Sequence, residues 1–363
     1  MFVICLCAVK YKTLEIAGEK FMHMADALLS PAVGATMWVA SAGMIAFSSN
    51  KVSNELDDRK IPLMGVLGAF LFAVQMINFT IPATGSSGHL GGGVLLAILL
   101  GPYAAFLTIA SVLTVQALFF ADGGLLALGC NIWNLGVFPA LIAYPLIYRK
   151  KVGNQPDKRT IVIAAIIASV AGMQLGALGV VLETTASGVS SLPFFTFAAL
   201  MQPIHLAIGI VEGLVTATVV SFLHTARPEI IQCAIQPGSV GNFKARNMLV
   251  AFFIATMLIG GIVSWFASER PDGLEWSITK VTGKKELETA KPGIYGILAK
   301  LQKTTAFLPD YNFRKTETGE EAAREENNRR GTSISGILGG IITLVIVFVI
   351  GLMLKSLKLK RLP

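Results

Sequence analysis

Few residues in this chain could do chemistry, and the most suggestive stand together near the start. The stretch Met22-His23-Met24-Ala25-Asp26-Ala27-Leu28-Leu29-Ser30-Pro31 lies where a weakly polar leader gives way to the first long apolar run, and it holds one of four histidines in 363 residues. If the working chain begins at Met22, its α-amine titrates near ~7.7–8, so a metal can displace its proton at neutral pH. The amide nitrogen of His23 can then deprotonate under the metal. With the His23 imidazole these make three nitrogen donors in fused chelate rings, nearly planar by covalent geometry, and a fourth from His89 would close a square. Square-planar nitrogen ligation favours Ni(II) or Cu(II) over zinc, which is usually tetrahedral, and over magnesium, which wants oxygen. Without a free amine at Met22 such a site cannot form, and 1–21 is therefore expected to be a removed leader or the product of a start assigned too far upstream.

His89 sits in the glycine- and serine-rich run Thr84–Gly93, with Ser86 and Ser87 beside it. Glycine permits irregular backbone and close approach, and irregular backbone at membrane depth is tolerated only where protein buries it or a cavity is lined. The run reads as a re-entrant or broken-helix binding element; the plain alternative is a flexible outer loop with a solvated histidine. Polar groups at membrane depth are functional candidates by default, which adds Asp122, Asn131, Asn134, His205 and Glu212. Asp122-Gly123-Gly124 is most simply an outer turn, with capping of the site entrance as the alternative. His205 and Glu212, seven residues apart, share a helical face. Glu212 is expected to be a polar clamp between neighbouring helices, and His205 is left open between such a clamp and a role in supporting the site or an ion path.

The elements that must position these residues are membrane spans. Hydrophobic residues make up 53% of the chain, charged residues 14%, and the mean hydropathy is +0.66. The apolar residues come in blocks of the length a bilayer demands of a helix, so the expected class is an all-α polytopic membrane protein. Spans are expected at Pro31–Ser48, Ile61–Pro82, Leu90–Leu100, Tyr103–Ala121, Asn131–Tyr148, Ile161–Leu182, Ala199–Leu223, Asn247–Phe266 and Ile334–Leu354. Basic residues gather after the first, fifth and seventh, before the eighth and after the ninth, which puts those ends in the cytoplasm. Met22, His89, Asp122 and the segment 267–333 then lie outside, with Glu320–Arg330 a solvated, mobile charged run. The net charge of +8 is spread between apolar blocks, which argues against nucleic acid. Cys5, Cys7, Cys130 and Cys233 suggest neither a disulfide nor a metal framework. The chain lacks the phosphate-cradling G-x-x-x-x-G-K-[ST] loop, so an ATPase driving it must be another chain.

The opening motif resembles that of the CbiM/NikM family, the substrate-binding membrane components of energy-coupling-factor transporters for cobalt and nickel. The resemblance continues through Thr84–Gly93, Val115–Gly124, Ala127–Asn134, His205–Gly213 and Arg227-Pro228-Glu229. It implies a seven-helix bundle over 22–229 whose N-terminus is tucked in from outside. The implied metal ligands are the amine of Met22, the backbone nitrogen and imidazole of His23, and His89. Gly85-Ser86-Ser87-Gly88-His89 is more similar to the nickel branch than to the cobalt branch. Further on, Pro271-Asp272-Gly273-Leu274-Glu275 is similar to the PDGLE motif of the small CbiN/NikN subunits, which have two spans flanking an external loop. The chain thus resembles a natural fusion, with 230–246 as a cytoplasmic linker and 247–363 as the second module. Ala32, Thr36 and Ala40 repeat at the small-xxx-small spacing that lets helices approach closely, which suits either docking of a coupling subunit or packing inside the bundle.

Three function classes compete. The first is the capture subunit of an ATP-driven importer for Ni²⁺, with Co²⁺ second, partnered by a transmembrane coupling subunit and two ATP-binding subunits. No resident cofactor is expected, since the metal is cargo. A stand-alone secondary transporter or channel would want charged residues along a path through several spans, where Glu212 is nearly alone. A metalloenzyme would need an open coordination position and a general base, and four nitrogens in a plane leave no evident place for water.

Overall fold

A computed structural model describes residues 22–55, 60–153, 157–226, 246–284, 293–313 and 321–359. The leader and Arg227-Pro228-Glu229 therefore lie outside the described residues, as do Cys5, Cys7 and Cys233. The fold is mostly helical. Helices α1 (Pro31–Glu55), α2 (Lys60–Gln75), α3 (Gly93–Leu100), α4 (Pro102–Phe119), α5 (Leu128–Val152), α6 (Lys158–Ser187) and α7 (Phe194–Ala226) make the first part. Helices α8 (Arg246–Gly261), α9 (Gly273–Thr282), α10 (Ile294–Thr305) and α11 (Glu321–Leu359) make the second. Six of these, α1, α4, α5, α6, α7 and α11, are long and apolar enough to cross a membrane, while α2 and α8 are shorter apolar helices.

Local chemistry explains several boundaries. Ser30 accepts from the Val33 amide at 3.3 Å and starts α1. Asp157 caps α6 by accepting from the amides of Arg159 and Thr160, and Gly188 ends it in the left-handed conformation at φ 63°. Within α5, Pro139 and Pro145 lack amide hydrogens, and Trp133–Arg149 widens into a π-helix that accommodates the missing bonds.

The core lies between α2, α3, α4 and α5, with Phe72, Phe106, Tyr144 and Tyr148 among its fully buried side chains. Helices α6 and α7 pack along each other and shield α5 on one flank. Helices α8 and α11 pack on α2 on the other: Phe70 meets Phe252 edge-on at 5.1 Å, and Ser53 of α1 donates to the Leu354 carbonyl at 3.0 Å. Large apolar side chains face outward on the long helices, such as Phe195 and Phe222 on α7 and Met353 on α11, as lipid contact requires.

Two expectations change. The second span ends at Gln75 rather than Pro82, because the chain turns into a small antiparallel hairpin pairing Phe79 with Gly88 and Thr80 with Ser87. Its turn uses Ala83 at φ 65° and Gly85 at φ 81°. The glycine-rich run thus begins as the return limb of a hairpin, with an exposed turn and a buried Ser86–Gly88, rather than as a broken helix. The charged run from Glu321 is helical and continuous with α11. Its alanines, glutamates and arginines are good helix formers, although Asn327–Arg330 remain exposed as expected.

Candidate metal site

The segment Met22–Ala25 enters the protein interior through a bend at Met22 and His23. Met22, His23 and Met24 are all buried. Asn131 holds Met24 from both sides of its peptide, accepting from its amide at 3.1 Å and donating to its carbonyl at 3.2 Å. The Gly124 amide donates to the same carbonyl at 3.0 Å. Asp26 accepts from the Ala127 amide at 3.0 Å, fixing the next turn. Burial raises the Asp26 carboxyl above its ordinary range, with the backbone bonds opposing it.

Asp122 stands in the turn after α4, but that turn is buried rather than exposed. Asp122 is 2% exposed and lies inside the site. Its Oδ1 accepts from the Met22 amide nitrogen at 2.9 Å and stands 3.0 Å from Nδ1 of His23. Its Oδ2 accepts from the Tyr311 hydroxyl at 2.5 Å. Burial alone would push the Asp122 carboxyl up, but His23 and the Tyr311 hydroxyl together hold it below the usual carboxylate range. The turn that presents it needs Gly123 at φ 84°, and a Cβ there would stand 2.9 Å from the His23 Cβ.

His89 follows the hairpin and reaches the same place. Its ring lies 5.2 Å from that of His23, tilted by 59°. Burial, reinforced by His23, lowers the His89 pKa to about 3, so its imidazole is neutral and its lone pair is available. Both ring nitrogens of His23 and Nδ1 of His89 are buried without a hydrogen-bond partner; the Asp122 contact is close but misaligned for one. Buried nitrogens in this state are costly unless something binds them. They border a cavity of about 70 Å³. That is room for an ion and little water, far less than an organic ligand needs. Among the described residues no group of three His, Cys, Asp or Glu side chains stands at metal-holding spacing.

The remaining candidates fall into place around these two rings. Glu212 is not a clamp between helices: its Oε2 accepts from the Gly91 amide at 2.8 Å, and Gln75 donates to the Gly91 carbonyl at 3.1 Å. The peptide two residues beyond His89 is gripped on both faces. Asn134 lines the cavity and donates to Glu183 at 2.7 Å. His205 also lines it, with Nδ1 2.8 Å from the Met201 carbonyl of its own helix. Ser86 bonds within the hairpin to Thr84, whereas Ser87 donates to the carbonyls of Arg270 and Pro271 at 2.8 and 3.2 Å.

Those last bonds bring the second part of the chain over the cavity. Asp272 and Glu275 form a capping box at the start of α9, and Asp272, Gly273 and Leu274 line the cavity roof. Pro271 abuts the hairpin through its carbonyl. Ala32 and Thr36 are exposed on α1 and Ala40 is half-buried, well away from the site. Sequence reasoning missed Asp26, Gln75, Glu183 and Tyr311. Asp26 alone carried a signal, its place in the opening motif.

A family profile described as "Cobalt uptake substrate-specific transmembrane region" matches residues 23–230, and the PDGLE domain matches 246–356. A Haloquadratum walsbyi protein assigned to metal transport is 37% identical over 210 residues, which cover 58% of this chain and 93% of that one. The fused nickel transport protein NikMN of Rhodobacter capsulatus is 33% identical over 225 residues, covering 58% of this chain and 64% of its own length. A crystal structure of a transition metal transporter superposes with a TM-score of 0.50 at 31% identity, covering 58% of this chain and 96% of that one. With its N-terminal part matched to the cobalt-uptake transmembrane region and its C-terminal part to PDGLE, the chain belongs to the CbiM family of metal-transport membrane proteins and carries the fused CbiM/NikM–PDGLE architecture.

Proposed function

We propose that this protein captures Ni²⁺, with Co²⁺ second, as the membrane component of an ATP-driven energy-coupling-factor importer. The observation that carries the reading is the meeting of the His23 and His89 rings, with both ring nitrogens of His23 and Nδ1 of His89 buried without a hydrogen bond, beside the Met22 nitrogen at a cavity of about 70 Å³. The donors are the Met22 amine, the backbone nitrogen and Nδ1 of His23, and His89, an all-nitrogen set suited to a planar ion. This donor set requires a free amine at Met22. The two-part arrangement is a metal-binding domain of seven spans over 22–229, a cytoplasmic linker at 230–246 and a two-span module over 247–363. Met22 and 267–333 face outward, and the C-terminus is cytoplasmic. The exposed Ala32 and Thr36 with half-buried Ala40 offer a face on α1 for the coupling subunit, and two ATP-binding subunits supply the energy. The names of the relatives favour this reading, since one denotes nickel transport and the family description denotes cobalt uptake.

The test is the intact mass and metal content of chain purified from membranes with a C-terminal tag alone. The expected result is a chain beginning at Met22 that binds one Ni²⁺, with binding lost in His23→Ala and in His89→Ala. A chain with residues retained before Met22 that still binds Ni²⁺ tightly would remove the amine from the donor set.

A further inference from the structure

The C-terminal part of the chain does more than roof the cavity. Residues 302–311 are stitched to the end of α4 and the turn that follows it. Gln302 donates to the carbonyls of Ala117 and Gly123 at 2.9 and 2.7 Å. The amides of Leu308 and Asp310 donate to the carbonyls of Phe119 and Phe120 at 3.4 and 2.9 Å. Asp310 and Tyr311 then adopt successive left-handed conformations, φ 53° and 58°, which residues with a Cβ disfavour. The outcome is that the Tyr311 ring stacks on Phe120, centroids 5.1 Å apart and 17° from parallel, with its hydroxyl on Asp122.

We infer that Tyr311 is a positioning residue for the metal donors. It acts through Asp122, whose two oxygens face opposite ways, Oδ1 toward Met22 and His23 and Oδ2 toward Tyr311. A carboxylate anchored at one oxygen only can rotate about its Cβ–Cγ bond, and rotation would carry Oδ1 away from the Met22 nitrogen that donates to it. The Tyr311 hydroxyl supplies the second anchor, and hydrogen bonds to a charged acceptor are among the stronger ones. Metal affinity is thereby set partly by a side chain 189 residues from the carboxylate it holds. The Tyr311 role rests on the metal reading above.

The experiment measures Ni²⁺ binding by the full chain in detergent, using equilibrium dialysis and the ligand-field absorption band of the bound ion. Tyr311→Phe keeps the ring on Phe120 and removes the hydroxyl alone. It is expected to weaken Ni²⁺ binding about tenfold, as loss of about 1.4 kcal/mol would do, and to displace the absorption band. Tyr295→Phe is the control, because that hydroxyl bonds the Leu29 carbonyl at 2.6 Å, on the same face of the protein but away from Asp122. It should leave affinity and band unchanged. Affinity within twofold of the unaltered chain in Tyr311→Phe would overturn the inference. So would weaker binding with the band unmoved, which would mark a merely structural role. Failure of the unaltered chain to bind Ni²⁺ or Co²⁺ would instead overturn the metal reading itself.

Discussion

Glu212 sits at 2% exposure in the middle of an apolar helix, where an unpaired carboxylate is among the costliest groups to bury. Its partner is the Gly91 amide, and Gln75 completes the grip from the other side. The pair therefore fixes the exit of the hairpin that carries His89. Glu212→Gln keeps an acceptor for the amide and should bind Ni²⁺ within about threefold of the unaltered chain. Glu212→Ala leaves the amide buried and unsatisfied, at a cost of about 1–3 kcal/mol, and should weaken binding at least tenfold in equilibrium dialysis. Equal affinities in the two variants would show that the Gly91 bond does not position His89. Residues with intrinsic metal chemistry, His23 and His89, were legible from sequence because their chemistry is local to the side chain. Gln75 and Tyr311 were not, since an amide in a helix and a tyrosine in a loop acquire their roles only from partners that the fold delivers.

The connecting segments, rather than the spans, decide the geometry of the site. Hydropathy placed several spans near their observed ends, as at α6, expected from Ile161 and found from Lys158, while α1 runs on to Glu55 and α11 begins as early as Glu321. Bilayer thickness dictates such blocks. The hairpin at Phe79–Gly88 was invisible, because two two-residue strands leave no periodicity to read and are held instead by Ser87 on the carbonyls of Arg270 and Pro271. The turn after α4 is similar: Asp122-Gly123-Gly124 looks like surface punctuation until His23 packs against it. Gly123→Ala tests that element. The new methyl meets both a left-handed backbone and the His23 Cβ at 2.9 Å, so the turn or His23 must shift. Positive φ alone costs about 1–2 kcal/mol for a residue with a Cβ. The variant should melt several degrees lower and lose tight Ni²⁺ binding. An unchanged melting temperature and affinity would mean that the turn does not hold His23.

At the scale of the whole molecule, the cobalt-uptake profile ends at residue 230, while the part from 246 onward both packs on α2 and reaches the cavity. These two contacts make different demands. Helices α8 and α11 cover an apolar flank of α2 that lipid could cover equally well, so their removal should cost the bundle little. Residues 270–274 and 302–311 instead cover Asp122, roof the cavity with Asp272–Leu274 and anchor the hairpin through Ser87. Lipid cannot replace those hydrogen bonds, and water admitted to the cavity would compete for the buried nitrogens and weaken the electrostatic bias of Asp122. Ending the chain at 245 should therefore leave far-ultraviolet circular dichroism helical while lowering Ni²⁺ affinity by more than Tyr311→Phe does alone, because the roof is lost with the hydroxyl. Adding the 246–363 segment back as a separate chain should restore affinity in proportion to the complex formed. Full affinity in the shortened chain would place the role of this module after capture, in the step that hands the ion onward.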